Sequence, residues 1–483
     1  MVLDLDLNDS DLEKSVPQES KTTVIKQEVI DKKPKKKSVW WKIIIFILLL
    51  LTIAGGGYFL WKTGKISKDI GFKFNPGEII STKKPELKKD IDGKLTNVLL
   101  IGVDSRKSNY ISNTDTIIVA SYNHETKNVV MISVPRDFHV EIEPETNWYN
   151  RINSVYASAE SKKEGEGFNR LTEVVEEVTG LQIQYYAMVD FKAFVEIIDL
   201  LGGISVNVEN SFVDYRYPSG LKYKTVKFTA GPQTMDGETA LEYSRSRHSM
   251  QNNEGTDYAR ARRQQKVIAA IQEKVMQSET LKDPKAIMGI FSSLVNNIKI
   301  SEFTITDIQA ALLLLEEYKD TNANSYSFVL EPYAGDRTLV ETKNTPNGAF
   351  ALGPVEGLGK YTKIHEYIEL AIKNPKLYSE NPTIFVYDIG LGATEVKTTI
   401  SEMKEKYPYI NITQSYTLFR DKEDVYVYSN EEKFSETISV FSKYLKTENN
   451  TKPEFIKSKL APAGVIILMG KPIQLEQTEQ SGV

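Results

Sequence analysis

The sequence predicts an α/β protein with a second, smaller βα domain and one N-terminal transmembrane helix. Three observations predict this fold: short apolar β-branched runs, amphipathic stretches with helical spacing, and one long apolar segment near the amino terminus. With 483 residues, the chain is long enough for about two or three domains.

The N-terminal part of the chain predicts a membrane anchor. Residues 1–38 are polar and end in a lysine cluster, so we expect a disordered cytoplasmic tail. Residues 39–61 are mostly apolar, with tryptophans near both ends, and about 20 apolar residues match the bilayer core. No A-x-A site follows, which favours a retained single-pass transmembrane helix over a cleaved signal peptide. The positive-inside rule then places the remaining chain outside the cell membrane.

The rest of the chain divides by composition into four parts. A lysine-rich stretch without a sustained period predicts an extracytoplasmic linker. A first folded domain follows, and a proline-bounded segment separates it from a smaller second domain and a disordered tail. The predicted boundaries are 62–94 for the linker, 95–375 for the first domain, 382–472 for the second and 473–483 for the tail.

Composition excludes several classes of function. The chain has 65 acidic and 60 basic residues, whereas nucleic-acid binders usually carry a basic domain, so we expect no nucleic-acid partner. Cysteine is absent, which excludes thiolate metal sites, thiol catalysis and disulfides. The four histidines leave little room for a zinc site.

Three short apolar runs predict neighbouring strands. The links between them are too short for a crossover helix, so we expect an antiparallel meander. In that meander Asp104, Asp115 and Arg136 lie at one edge of the sheet. Two carboxylates beside a guanidinium suggest a site for a divalent cation and a phosphate. The runs span residues 97–104, 115–121 and 129–135.

Two helices are predicted after the meander. Residues 169–179 have helical spacing and end before Gly180, a usual helix stop. Asp190 is the predicted N-cap of the next helix. Its apolar stripe is expected to face the core, although it could also line an apolar cleft. The stripe consists of Phe191, Phe194, Ile197, Ile198 and Leu201.

A second group of charged residues follows. Arg245 and Arg247 are two positions apart, so they converge on one target only if the backbone is extended at a helix exit. A helix over 257–276 places Asp257, Arg260 and Gln264 on one face of its first turns, where the helix dipole favours an anion. Any one arginine is better explained by a solvated Asp–Arg pair. The whole collection favours an anion site.

The second domain is predicted to alternate strands and helices. Gly390-Leu-Gly392 lies between a strand and a helix, but no Gly-Lys-Ser/Thr follows, so close strand–helix packing is preferred over a phosphate loop. The predicted strands are 384–387, 410–417, 425–429 and 465–469, and the predicted helices are 394–405 and 431–444.

Nine ordered motifs resemble the LytR–CpsA–Psr family of membrane-anchored cell-envelope proteins. They are dense over residues 95–276 and looser up to 375. The second domain resembles the small C-terminal domain that often follows in this family, although Asp388-Ile-Gly390 stands where Asn-Gly is usual. The motifs are NVLLIGVDSR (97–106), TDT (114–116), SVPRD (133–137), RINSVYA (151–157), VDF (189–191), LLGGI (200–204), DGETAL (236–241), SRSRH (244–248) and DYARARRQQ (257–265).

This resemblance implies a fold and an activity. The implied fold is an α/β/α sandwich around a mixed β-sheet, with a hydrophobic pocket for a lipid tail. The implied activity is a phosphotransferase that moves a glycopolymer from a polyprenyl-pyrophosphate lipid carrier to peptidoglycan, giving teichoic-acid-like or capsular attachment. Two positions depart from the family near the site: Asn113, where arginine is frequent, and Arg151, where lysine is common.

The chemistry of this activity assigns roles to the charged residues. Arginine forks bind phosphate oxygens in pairs, which suits a pyrophosphate. Asp104 and Asp115 are the expected ligands of Mg²⁺, or of Mn²⁺ in its place. The nucleophile would be a peptidoglycan sugar hydroxyl, with Asp257 or a metal-ligating aspartate as candidate base, although phosphoryl transfer does not require a dedicated base. The expected phosphate ligands are Arg136, Arg245, Arg247 and Arg260, supported by Arg151 and Gln264, and the expected catalytic residues are Arg136, Arg245, Arg247 and Asp257.

Two other functions fit parts of the sequence. A polyprenyl-phosphate binding protein, or a pyrophosphatase that transfers nothing, would need the same phosphate ligands. A transcription regulator at the envelope is the other alternative, but the predicted cytoplasmic tail is too short for a DNA-reading module.

Overall fold

The computed structural model describes residues 72–73, 84–104, 113–220, 222–277, 298–320, 324–332, 337–344, 350–457, 460 and 463–471. The predicted cytoplasmic tail, transmembrane helix and C-terminal tail lie outside these ranges. Within them, no helix combines the length and the apolar character needed to cross a bilayer.

The first folded part contains both strands and helices. Its strands are β1 (Phe72–Lys73), β2 (Leu95–Val103), β3 (Thr114–Asn123), β4 (Val129–Ser133), β5 (His139–Glu143), β6 (Trp148–Arg151), β7 (Tyr185–Asp190), β8 (Ile204–Val208), β9 (Phe212–Ser219), β10 (Lys222–Phe228), β11 (Gly231–Met235), β12 (Ile298–Ile300), β13 (Phe303–Thr304), β14 (Ser325–Val329), β15 (Val340–Asn344) and β16 (Phe350–Pro354). Its helices are a 3-10 turn (Ile152–Ser154), α1 (Val155–Lys162), α2 (Glu166–Thr179), α3 (Phe191–Leu200), α4 (Gly237–Arg245), α5 (Asp257–Gln277), α6 (Ile305–Asp320), α7 (Thr362–Lys373) and α8 (Pro375–Glu380).

A six-stranded mixed sheet organises this part, in the order β12-β7-β2-β3-β4-β14. Strands β2, β3 and β4 form the predicted antiparallel meander. Strand β7 pairs in parallel with β2, and β14 pairs in parallel with β4. The sheet is therefore mixed, as expected, because a hairpin-linked centre is flanked by strands that return after long connections.

One face of the sheet carries the larger core. Leu99 and Ile101 on β2, with Ile132 on β4, alternate into a cluster that also contains Leu171 of α2 and Ile368 of α7. Burial of each such side chain stabilises the fold by roughly 1.5–3 kcal/mol. This face is therefore covered by α2 and α7.

The opposite face is covered by α5. Ser133 follows Ile132 on β4, so its side chain points to the other side of the sheet. There Gln265 of α5 donates to Ser133 Oγ at 2.9 Å and to the carbonyl of Phe328 at 2.8 Å. Helices on both faces of a mixed sheet give the expected α/β/α arrangement.

A second, smaller core lies beside the sheet. Strands β8 and β11 form an antiparallel pair, as do β9 and β10. Their buried side chains pack with Ile198 of α3, Tyr243 of α4 and Val267 of α5. This cluster fixes α4 against α5, which matters because α4 ends at Arg245.

The predicted helix signals agree with the structure. Helix α2 starts three residues before the predicted start and ends at Thr179, directly before Gly180, whose φ is 72°. The Asp190 side chain accepts a hydrogen bond from the Ala193 amide at 2.8 Å and so caps α3 as predicted. The apolar stripe of α3 is only partly buried. Ile198 and Leu201 are buried, whereas Phe191, Phe194 and Ile197 are half-buried.

The predicted linker at 62–94 makes defined contacts where the structure describes it. Strand β1 pairs in parallel with β13. The Lys88 amide donates to the Tyr185 hydroxyl at 2.9 Å, and the Ile91 amide donates to Gln182 Oε1 at 2.8 Å. These contacts use backbone donors and side chains distant in sequence, which a lysine-rich composition does not reveal.

All six elements predicted for the second part of the chain are present, although the second helix begins with a 3-10 turn. They are β17 (Thr383–Asp388), α9 (Ala393–Lys406), β18 (Asn411–Thr417), β19 (Val425–Ser429), a 3-10 turn (Glu432–Phe434), α10 (Ser435–Leu445) and β20 (Val465–Met469). The four strands form a sheet in the order β18-β17-β20-β19.

Two backbone amides of the glycine-containing loop after β17 donate to a side chain at the end of that strand. The amides of Gly390 and Gly392 both donate to Asp388 Oδ1, at 3.0 and 3.2 Å. A side chain at Gly390 would collide with the carbonyl of Lys422. These contacts support close packing rather than a phosphate loop.

Helix α8 occupies the segment predicted as a domain boundary. Its last residue, Glu380, accepts hydrogen bonds from the amides of Glu436 and Thr437, each at 2.8 Å. In the part of the chain that the structure describes, the two sheets accordingly share a continuous core.

Candidate anion-binding site

The site begins where the meander strands meet at one edge. Arg136 follows β4 and donates through Nη1 to Oδ1 of Asp115 at 2.9 Å. A register shift at the end of the β2–β3 pair sets Val103 opposite Thr114. Asp104 therefore leaves β2 at the edge where Asp115 enters β3, as the sequence predicted.

The loop after β4 adds a carboxylate that the sequence assignment omitted. Asp137 lies 3.7 Å from Arg136 Nε through Oδ2 and 3.3 Å from Arg151 Nε through Oδ1. It links two of the expected phosphate ligands. The available signal was its position directly after Arg136 in the SVPRD motif.

Helix α5 contributes the second wall of the site. Asp257 Oδ2 lies 3.5 Å from Arg136 Nε, and Asp257 Oδ1 lies 3.1 Å from Arg260 Nη1. Gln264 donates to the carbonyl of Ser244 at 3.5 Å, a long hydrogen bond that joins α5 to the end of α4. The three- and four-residue spacings thus place these side chains on one face, as predicted.

The exit of α4 positions two further arginines. Helix α4 ends at Arg245, and Ser246 has φ −55° and ψ 134°, so the backbone extends there as the convergence of Arg245 and Arg247 requires. Arg245 Nη2 lies 3.9 Å from Asp104 Oδ2, and Nη1 donates to the Tyr217 hydroxyl at 3.1 Å. Its guanidinium also stacks 4.0 Å from the ring centre of Phe191. The Arg245 fork is therefore held on three sides.

The charges within the site stabilise one another. Burial by itself raises the pKa of Asp257, but Arg260 and Arg136 outweigh it and hold the pKa below its ordinary value of 3.8. Arg247 acts on Asp257 in the same direction, so its charge belongs to the cluster. Burial lowers the pKa of the Arg136 side chain, but the carboxylates of Asp257 and Asp115 outweigh it and leave this pKa raised.

Burial lowers the pKa of Arg260, because desolvation outweighs the attraction of Asp257 and neighbouring arginines repel its charge. An arginine that is crowded by other cations and partly desolvated gains from an additional anion. The cluster therefore has the electrostatics of an anion site.

A cavity of about 20 Å³ lies between the strand edge and α5. This volume is enough for about one water molecule. Five of the predicted site residues line it: Asp115, Arg136, Asp257, Arg260 and Gln264.

The structure brings together all nine predicted site residues. Asp115, Arg136, Arg151, Asp257, Arg260 and Gln264 form one network through Asp137 and the cavity. Arg247 is exposed, and its charge acts on Asp257. The Asp104–Arg245 pair adjoins the network through the β2–β3 register. Their catalytic and binding roles stay predictions.

The donor set for a metal consists of two carboxylates. In the part of the chain that the structure describes, no group of three or more histidine, aspartate or glutamate side chains could hold a metal ion. Mg²⁺ is commonly bound by one or two carboxylates together with substrate phosphates. Asp104 and Asp115 fit that mode of binding rather than an all-protein metal site.

A mixed sheet between helices, with arginines and carboxylates gathered at one edge, defines an α/β protein suited to holding a multiply charged anion. The chain belongs to the LytR_cpsA_psr family, whose family model matches residues 74–328.

Several named relatives are similar to this region of the chain. The chain is 28% identical to biofilm regulatory protein A of Streptococcus mutans over 253 residues, which cover 48% of this chain and 59% of that protein. It is 30% identical to the polyisoprenyl-teichoic acid–peptidoglycan teichoic acid transferase TagU of Enterococcus faecalis over 198 residues, 41% of this chain and 59% of that protein. The chain thus spans less than two thirds of these relatives. The crystal structure of B. subtilis TagV aligns with a TM-score of 0.43 and 23% identity, over 58% of this chain and 98% of that one.

Proposed function

We propose that this protein is a membrane-anchored phosphotransferase that moves a glycopolymer from a polyprenyl-pyrophosphate carrier to peptidoglycan outside the cell membrane. The observation that carries the proposal is the convergence of Arg136, Arg245, Arg247 and Arg260 around one strand edge. Relatives named as teichoic acid transferases support the choice of donor and acceptor.

The reaction has a simple balance of bonds. A sugar hydroxyl of peptidoglycan attacks the phosphorus that carries the glycopolymer and forms a new P–O bond. The bond from that phosphorus to the bridging oxygen breaks, and polyprenyl monophosphate leaves. The hydroxyl proton passes to a carboxylate or to water. Negative charge grows on the leaving oxygens, and the guanidinium groups would stabilise it.

The pyrophosphate would replace contacts that the arginines make with carboxylates. Arg136 contacts Asp115, Asp137 and Asp257, and Arg245 contacts Asp104. The cavity beside them is too small for a pyrophosphate, so the guanidinium groups must turn from carboxylate to phosphate oxygens. Carboxylate and phosphate groups can each accept two hydrogen bonds from one guanidinium, so the free-energy cost of exchanging one for the other is low.

Mg²⁺ would assist this exchange when held by Asp104 and Asp115. Asp104 and Asp115 contact Arg245 and Arg136, and these guanidinium groups would be available to the phosphates once the two carboxylates hold the ion. When bound, the ion supplies charge neutralisation on the phosphate oxygens.

Asp257 is the better placed of the candidate proton acceptors, because it lies between Arg136 and Arg260 at the cavity. Its lowered pKa keeps it ionised at neutral pH but makes it a weak base. Its main contribution would then be to orient the two arginines, and proton transfer would follow P–O bond formation.

The lipid part of the donor has a matching surface next to the arginines. Phe191, Phe194 and Ile197 of α3 are half-buried rather than buried, and Phe191 stacks against Arg245. An isoprenyl chain lying on this side of α3 would leave its pyrophosphate beside Arg245. The apolar stripe then serves as the predicted apolar cleft.

Product analysis with the purified full chain tests the proposal. The protein is incubated with a lipid-linked glycopolymer, insoluble peptidoglycan and Mg²⁺. Transfer predicts glycopolymer covalently bound to peptidoglycan together with polyprenyl monophosphate. Hydrolysis would instead release phosphorylated polymer into solution, and a pure binding protein would give neither product.

The metal assignment has a separate test. Mn²⁺ binding to the full chain, followed by electron paramagnetic resonance, should weaken in Asp104→Ala, and the Mg²⁺ titration of transfer should shift to higher concentration. Identical binding and titration curves for Asp104→Ala and the wild type would refute the ligand role of Asp104.

A further inference from the structure

Two buried charged residues outside the arginine cluster hold the segment that carries Arg245 and Arg247. Asp214 lies on β9 and is fully buried, and Arg263 lies on α5 with 2% of its surface exposed. Neither side chain contacts the cavity. Burying a charge costs several kcal/mol unless hydrogen bonds compensate it, so their partners show what they stabilise.

The Asp214 carboxylate binds the backbone just after Arg245. Its Oδ2 accepts from the amides of Arg247 at 3.0 Å and His248 at 3.2 Å. Its Oδ1 accepts from the amide of Arg216 on its own strand at 2.9 Å. One carboxylate therefore fixes two consecutive amides of the extended exit from α4.

The Arg263 guanidinium binds the same segment from the opposite direction. Its Nε donates to the carbonyl of Tyr243 at 2.8 Å, and its Nη2 donates to the carbonyl of Ser246. Its Nη1 donates to the carbonyl of Glu254 at 2.9 Å and also pairs with the Glu254 carboxylate. The fork thus uses all three nitrogens, which a lysine could not do.

The two side chains bracket the arginine pair. Arg263 holds the carbonyls of Tyr243 and Ser246, and Asp214 holds the amides of Arg247 and His248. Arg245 and Arg247 lie between these anchored groups. Side chains two positions apart point to the same side only where the backbone is extended. Asp214 and Arg263 fix this extended stretch.

We propose that Asp214 and Arg263 are positioning residues that hold Arg245 and Arg247 in register with the pyrophosphate. This inference rests on the proposed function for its catalytic consequence, but not for the anchoring itself. The two residues act through the backbone and do not touch the substrate. An error of about 1 Å in placing a catalytic group can cost roughly 100-fold in rate.

A double-mutant cycle in the full chain tests the proposal. In Asp214→Asn one oxygen is replaced by a donor, so the amides of Arg247 and His248 cannot both be satisfied together with that of Arg216. We expect kcat to fall about tenfold or more with a smaller change in KM. In the Arg247→Ala background the same substitution should cost much less, because the group that it positions is absent. Additive losses in a folded protein would overturn the proposal.

Arg263→Lys provides a second cycle should Asp214→Asn fold poorly. It keeps the charge but removes the fork, so we expect the same non-additive loss with Arg247→Ala. Arg262→Ala is the matched control on the same helix, because Arg262 is exposed and pairs only with Glu331 among the contacts described. Equal activity of Arg263→Lys and Arg262→Ala would contradict the positioning role.

Amide hydrogen exchange separates this proposal from the proposed function. The amides of Arg247 and His248 should be protected in the wild type and exchange faster in Asp214→Ala, which removes both acceptor oxygens, with the amide of Ile132 in the central sheet unchanged. Unchanged exchange at Arg247 and His248 would overturn the anchoring whatever the enzyme does. If exchange responds as expected but the wild type neither transfers polymer nor binds geranylgeranyl pyrophosphate, the proposed function fails and the anchoring stands.

Discussion

Arg136 donates to Asp115 at 2.9 Å across the edge of the central sheet, and this bond joins the end of β4 to the start of β3. The two strands are adjacent and antiparallel, so the pair is set by the meander rather than by a flexible loop. The same guanidinium also lies within 3.7 Å of Asp137 and 3.5 Å of Asp257. Three of the site's carboxylates, those of Asp115, Asp137 and Asp257, therefore converge on Arg136.

Replacing Arg136 with lysine should impair the site although it preserves the charge. A lysine offers one point charge, whereas the contacts to Asp115 and Asp257 use separate nitrogens of the planar fork. We expect transfer to fall by about 100-fold, in the range found when one transition-state donor is removed. Activity of Arg136→Lys within threefold of the wild type would argue against a bidentate role. Circular dichroism melts check that the variant folds.

Arg245→Ala and Arg247→Ala should each lower transfer by about 100-fold or more, to a residual rate, and leave the fold intact. Both side chains belong to the expected phosphate ligands, and neither is in the central core. Arg262→Ala removes an exposed arginine nearby and serves as the control. Steady-state transfer of a purified lipid-linked substrate gives the measurement. Near-normal turnover by both variants would remove these residues from the site.

Asp137→Asn should lower the affinity for the pyrophosphate donor without removing any of the expected phosphate ligands. The carboxylate spans Arg136 and Arg151, and an amide would hold each guanidinium less firmly. We expect KM for the donor to rise about threefold to tenfold, because the change acts on the orientation of two arginines. Isothermal titration with geranylgeranyl pyrophosphate should show a parallel loss of affinity. An unchanged affinity would show that Asp137 does not orient these two arginines for phosphate binding.

The titration of Asp257 has a defined sign. Its pKa in the folded protein is below the ordinary value of 3.8, so the stability that its ionised form contributes is fully present above pH 3.8. That contribution is lost as the pH falls through the folded pKa. The difference in unfolding free energy between wild type and Asp257→Asn should be constant from about pH 5 to pH 8 and shrink in acid. A difference that changes near neutral pH would show that the pKa is raised instead.

Local signals in the sequence predicted much of the fold and part of the site. Short links identified the meander, and Gly180 and Asp190 marked helix ends, because these features depend on neighbours in the chain. The parallel pairing of β14 with β4 joins segments almost 200 positions apart, and no local pattern encodes such a partner.

The same distinction explains what was missed in the site. Asp137 lay within a recognised motif, but its position between Arg136 and Arg151 depends on how the loop after β4 folds back toward β6. Asp214 and Arg263 bind backbone groups of a distant segment, and such contacts leave no pattern of residue types. Motifs predict which residues gather, but the structure is needed to identify what holds them in place.

Gly180→Ala should destabilise the fold for two separable reasons. The residue has φ +72°, which costs an alanine about 1 kcal/mol, and an added Cβ would lie 2.9 Å from the His365 ring of α7. Gly165→Ala is the matched control at the other end of α2, because φ there is +86° and nothing lies within 4 Å of an added Cβ.

Urea unfolding of both variants measures the two contributions. We expect a loss of about 1 kcal/mol for Gly165→Ala, from the backbone alone. Gly180→Ala should lose about 1–3 kcal/mol more, in the range found for overpacked sites, because α7 must shift to admit the methyl group. Since α7 packs on the same core as β2 and β4, such a shift would also loosen the sheet that carries Asp115 and Arg136. Equal losses for the two variants would show that α7 yields freely, and that contact between α2 and α7 does not constrain the central sheet.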